Sequence, residues 1–86
     1  MPSYLFEFEL FNFNTDREPD LKLAEAANKA CGAEFWECNG HAYVWLQVES
    51  SHVGYGLRTA RQQLSGLLPN RLMQIRDVQE LKEERA

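Results

Sequence analysis

Cysteine is scarce: Cys31 and Cys38 are the only two, too few for the disulfide framework that holds small secreted domains together. Both read as reduced thiols, which fits a cytoplasmic protein. Long apolar runs are missing too, and none approaches the ~20 residues a membrane-spanning helix needs. No basic stretch leads into an apolar one, so no secretory signal is expected. Base is short relative to acid, nine Lys and Arg against thirteen Asp and Glu, for a net charge of −4. A general nucleic-acid binder shows the opposite balance. Catalytic signatures are also absent: the chain has no Ser-His-Asp or Cys-His arrangement, no phosphate-binding P-loop and no Gly-x-Gly-x-x-Gly fingerprint. Cys31, Cys38, His41 and His52 match no compact ligand spacing, so neither a metal nor a cofactor is expected. Pro2 would need to be the amino terminus to act as a base, and Met1 stands before it. The enzyme reading is therefore the weaker one.

What the chain does have is a hairpin. In residues 33–49, AEFWECNGHAYVWLQVE, Asn39-Gly40 separates two alternating runs. A type I′ turn needs φ > 0 at both central residues, and Asn-Gly supplies it at least cost. The two-residue loop sets Cys38 opposite His41, Trp36 opposite Tyr43, Glu34 opposite Trp45, and Phe35 opposite Val44. Side chains alternate faces along a strand. One face then carries Phe35, Ala42, Val44, Leu46 and Val48, a core row. The other carries Trp36, Tyr43 and Trp45 among Glu34, Cys38, His41, Gln47 and Glu49. Both tryptophans of the chain fall on the face expected to be wet.

The remaining elements follow from periodicity. Tyr4 to Phe13 alternates, with Tyr4, Phe6, Phe8 and Leu10 inward and Glu7, Glu9, Phe11 and Phe13 outward. Pro19 and Asp20 suit a helix start; that helix is predicted to run to Cys31, with Leu23, Ala27, Ala30 and Cys31 inward, and to close at Gly32. Ser50-Ser51 is read as the N-cap of a second helix. Its stripe is Val53, Leu57, Ala60, Leu64 and Leu67 or Leu68; Gly54 and Gly56 are expected only to weaken it. A last strand is predicted over 71–78, with Met73 and Ile75 inward and Arg76 outward, near Glu7 and Glu9.

Strand, helix, strand, strand, helix, strand, with one apolar stripe per helix, predicts an α+β domain of ferredoxin-like βαββαβ type. Its four-stranded antiparallel sheet has order 4-1-3-2, and two helices cover one face. The domain is expected to span 1–78, followed by a charged tail over 79–86. Acylphosphatases and small-ligand regulatory domains share this topology, but none of their motifs stands here.

The candidate site is the uncovered sheet face: Trp36, Tyr43 and Trp45, extended by Phe11 and Phe13 and rimmed by Glu34, with Glu37 and Glu49 also placed on the rim. Each large aromatic offers about 150–250 Å², so three together rival the ~300–600 Å² largest patch of a typical monomer. Arg58 and Arg61 on the second helix form a secondary basic patch, within a stretch of residues 51–76 that holds four arginines and no acid. The leading expectation is a non-catalytic interaction module that binds a protein partner or a second copy through the open face. Small acidic inhibitors or adaptors of phage or mobile-element type belong to this class. The alternative is a dimeric small-molecule binder or enzyme with an aromatic pocket between two sheets. Single-stranded nucleic acid is the weakest reading. Open sheets that stack bases use aromatics in this way, but Glu7, Glu9 and Glu34 would repel phosphates.

Overall fold

In a computed structural model of the chain, described over residues 2–69 and 72–81, six elements follow one another: β1 (Ser3–Phe11), α1 (Glu18–Cys31), β2 (Glu34–Cys38), β3 (His41–Glu49), α2 (Val53–Leu67) and β4 (Leu72–Leu81). The four strands form one sheet in the order β2-β3-β1-β4, and every neighbouring pair is antiparallel. Element order and strand order match the ferredoxin-like βαββαβ arrangement. No helix among the described residues is long and apolar enough to cross a membrane.

The β2–β3 hairpin has the register that Asn39-Gly40 dictates. Trp36 pairs with Tyr43, Phe35 with Val44, and Cys38 with His41. Asn39 (φ 52°) and Gly40 (φ 79°) both take the left-handed conformation, which a β-branched residue resists.

The core lies between sheet and helices. Phe6, Phe8, Leu10, Ala42, Val44 and Leu46 are buried from the sheet side, and Ala24, Ala27, Ala60, Leu64 and Leu68 from the helix side. The stripe of α1 is rotated relative to expectation. Ala24 and Ala27 are buried while Ala30 is exposed, and Asp20 joins them at 1% exposure. Asp20 stands in the first turn, where the dipole favours it, and it also accepts the Asn14 N–H at 2.9 Å and meets Arg17 at 2.9 Å. A buried carboxylate is tolerable only with such partners.

Two details of α2 also differ. Its N-cap is His52, whose Nδ1 accepts the Gly54 N–H at 3.0 Å. Ser50 supports that cap one step back, donating its hydroxyl to the His52 carbonyl at 2.9 Å. Gly56 does more than weaken the helix. A Cβ there would lie 3.2 Å from the Phe6 ring and 3.3 Å from Ser50 Cβ, so the glycine lets α2 approach β1 closely. Val53, expected inward, is exposed because it stands in the first turn, outside the contact with the sheet.

β4 is longer than the alternation suggested and ends at Leu81, so residues 79–81 belong to the sheet rather than to a tail. Residues 82–86 lie outside the described residues. Met73 and Ile75 are half-buried, as expected. The register against β1 shifts between Glu7 and Phe8: Phe8 faces Ile75, but Glu7 faces Asp77. Arg76 is thus the extra residue of a β-bulge.

Leu64 is fully buried at the centre of α2's stripe. Leu64→Ala should cost about 2–5 kcal/mol, the transfer and cavity cost of a buried leucine, read from urea unfolding. A cost under ~0.5 kcal/mol, the scale of an ordinary surface change, would mean that α2 is held by another face.

Candidate interaction surface on the open sheet face

The sheet face turned away from the helices collects alternate residues of all four strands. Side by side across it lie Glu34, Trp45, Glu7 and Asp77, and in the next row Trp36, Tyr43, Glu9 and Gln74. The rings form one cluster. Trp36 stacks on Tyr43 with centroids 4.3 Å apart and planes 18° apart. Trp45 meets Trp36 edge-on at 5.9 Å and 72°. Both are favourable aromatic geometries. Trp36 remains 37% exposed, and Tyr43 and Trp45 are half-buried. The tryptophans are therefore only partly wet, because they shield one another.

Carboxylates of β1 fix this cluster from the side. Trp45 donates its indole N–H to Glu7 Oε2 at 2.7 Å. Glu9, 8% exposed, takes His41 Nδ1 on one oxygen at 3.0 Å and has Arg76 Nε 3.6 Å from the other. The expected match of Arg76 with the β1 glutamates is thus realised with Glu9. The sequence places Glu7 and Glu9 on the open face near Arg76, but not as partners of Trp45 and His41. That they anchor Trp45 and His41 follows from β1 lying beside β3, which no local pattern reports.

Phe11 lies at the end of the open face, 40% exposed, and faces Leu72, which is 76% exposed. It borders the cluster without a ring contact to it. Phe13 does not belong to the face. It is buried in the core and stacks on Phe35 at 5.7 Å and 20°. The cause is Asn12, whose φ of 56° ends the alternation and carries the chain over to the helix side. Glu34 takes its rim position opposite Trp45. Glu37 does not: it pairs with Ala42 on the helix side and reaches the loop before α1.

Arg58 and Arg61 are both exposed on α2 but have different surroundings. Arg58 lines a cleft of about 330 Å³ with His52, Gly54 and Tyr55. The Arg61 guanidinium lies 5.9 Å from the centroid of the buried Phe8 ring, where it covers the core edge.

Chemistry on the open face is limited. Cys38 stands opposite His41, whose ring is tied to Glu9, but Cys38 is an exposed free thiol with no hydrogen bond to that ring. Among the described residues no group of His, Cys, Asp and Glu is placed to hold a metal ion. Comparison with protein-family models, with curated proteins and with solved structures gives no match.

Thr15 donates both its backbone N–H, at 2.9 Å, and its hydroxyl, at 2.6 Å, to Glu37 Oε1. These bonds, the hydroxyl's first, hold the Glu37 carboxyl below its ordinary 4.5. A depressed pKa means that the tie is fully present above the unfolded value and is lost as pH falls through the folded one. On acidification below about 4.3, the ordinary glutamate range, the Thr15 amide resonance should shift with the Glu37 titration. Glu37→Gln should abolish that shift; its persistence would assign the change to another acid.

Proposed function

We propose that the chain is a non-catalytic interaction module whose open sheet face, centred on Trp36, Tyr43 and Trp45, binds a partner protein. The observation that carries this reading is the aromatic cluster itself, held in one geometry by Glu7 and by mutual stacking on a face that none of the described elements covers. Large aromatics carry much of the energy at interface hot spots, and rigid ones lose little entropy on binding. The acids of the face, Glu7, Glu9, Glu34, Glu49 and Asp77, share it with one described arginine, Arg76, and with His41. That balance favours a partner with an apolar centre and a basic rim, and it disfavours phosphate backbones. An acidic inhibitor of a nucleic-acid-binding protein would meet this description, because carboxylates can occupy a surface built for phosphates.

A small-molecule pocket beside Trp45 is less well supported. The cavity beside Trp45, lined by Leu5, Glu7, Asp77 and Gln79, is about 110 Å³, against roughly 300–1,000 Å³ for ordinary ligand sites.

The test is affinity capture from the native host, followed by titration of the captured protein with wild type and Trp36→Ala. Among the described residues Trp36 makes no hydrogen bond and is 37% exposed, so the truncated domain is expected to stay folded, with circular dichroism as the check. Binding should weaken about thirtyfold or more, the effect of losing ~2 kcal/mol at a hot spot. Unchanged affinity in a folded variant would remove the open face from the interface.

A further inference from the structure

Among the described residues β4 is the longest strand and lies at the edge of the sheet, with β1 on one side and no described strand on the other. The helices seat on β1, β2 and β3. On β4's helix side, Met73 and Ile75 are therefore only half-buried, and Val78 is 38% exposed. A long open edge beside uncovered apolar side chains is a template for another strand.

The bulge decides which strand fits. In a regular strand residues 76 and 77 point to opposite faces. Here Arg76 reaches Glu9 on the open face, and Asp77 faces Glu7 on that same face. From that point both ways the pattern is mirrored. Leu72, Gln74 and Arg76 lie on the open face before the midpoint, and Asp77, Gln79 and Leu81 after it; Met73 and Ile75 lie on the helix side before it, and Val78 and Glu80 after it. A twofold axis perpendicular to a sheet keeps each face on its own side. Without the bulge, a dyad between residues 76 and 77 would be forbidden by the alternation. With it, the dyad is allowed.

We propose that β4 pairs antiparallel with β4 of a second copy about this dyad, joining two sheets into one of eight strands. Arg76 then faces the second copy's Asp77, Ile75 faces Val78, Gln74 faces Gln79, and Leu72 faces Leu81. Opposite charges, apolar residues and amides each meet their complement, and only Met73 with Glu80 is mixed. The dyad also answers a local conflict. Asp77 sits opposite Glu7, and no basic side chain among the described residues is bonded to it, so the second copy's Arg76 supplies the missing cation. Helix-side pairing of Ile75 with Val78 covers the apolar surface that the helices leave bare. This interface is the outer edge of β4 rather than the aromatic cluster on β2 and β3, and it makes the two open faces continuous.

The experiment is sedimentation equilibrium on the full chain at micromolar concentration, with wild type expected to be dimeric. Arg76→Asp sets Asp against Asp twice across the dyad, and Asp77→Arg sets Arg against Arg twice. Each should weaken the dimer at least about tenfold, since like charges directly opposite are destabilising. Mixing the two variants restores both pairs and should give a heterodimer. The double variant Arg76→Asp, Asp77→Arg should dimerise again, which keeps the test valid if a single variant folds poorly. Trp36→Ala should remain dimeric, so failure of the open-face reading and failure of this one are distinguishable. A monomeric wild type, in which bulge and charges merely guard the edge, would overturn the proposal. So would single variants that dimerise like wild type, a mixture that stays monomeric, or a dimer lost in Trp36→Ala.

Discussion

The rest of the structure depends on β1 keeping its two faces apart. Phe6 and Phe8 are fully buried in the middle of the core, and α2 approaches Phe6 so closely that a Cβ at Gly56 would stand 3.2 Å from its ring. Between and beyond them Glu7 and Glu9 point the other way. A slip of one residue would exchange the two rows. It would set both carboxylates under the helices without their partners, at several kcal/mol each, and would leave two phenylalanines in water. That penalty pins β1, and β1 is paired with both β3 and β4. The open face inherits its geometry from this constraint, since Trp45 and His41 find their acceptors only where β1 presents them.

Legibility followed how local each determinant is. The hairpin could be read because Asn39-Gly40 fixes turn and register within a few residues, and the Trp36–Tyr43 contact came with it. The β1 face could be read as far as Leu10, where alternation is unbroken. Phe13 could not, because a single backbone conformation at Asn12 switches its side of the sheet while the sequence goes on alternating. A left-handed asparagine after a strand was the available signal. The bulge at Arg76 has no signal of its own: residues 72–76 alternate smoothly, and the shift exists only relative to β1. The extent of β4 was missed for a related reason. Gln79 and Glu80 read as a polar tail, but an edge strand with a bare helix side accepts polar residues on both faces.

The caps make the same point in smaller form. Ser50-Ser51 carries the residue types preferred at a helix start, and His52 wins because Ser50 is already engaged with the His52 carbonyl. Propensity identified the position within two residues; competition among neighbours chose the side chain. Asp20 shows the converse. Acid in a first turn is ordinary on dipole grounds, and its burial depends on Asn14 and Arg17 folding back from the preceding loop.

Energetics separates the open face from an unfinished core. A core row would place aliphatic side chains where Glu7 and Glu9 stand, and replacing buried charges with well-packed apolar groups is often neutral or stabilising. Glu9 instead sits almost out of water, and its two oxygens are met by His41 and Arg76, which are themselves about half exposed. Such an arrangement adds little to the stability of an isolated domain, but it changes the cost of covering the face. A partner that dehydrates this surface meets an indole N–H already donating to Glu7 and a buried carboxylate already held. Covering Trp45 therefore strands no indole donor, and the usual penalty of about 1–3 kcal/mol for an orphaned group does not arise there. The apolar faces of Trp36, Tyr43 and Trp45 are left to contribute their contact area. A phenylalanine at position 45 would stack as well, but it would lack the tie to Glu7 of β1 that holds the cluster in one orientation. The polar groups thus do for this face what the helices do for the other: they remove its freedom before anything binds.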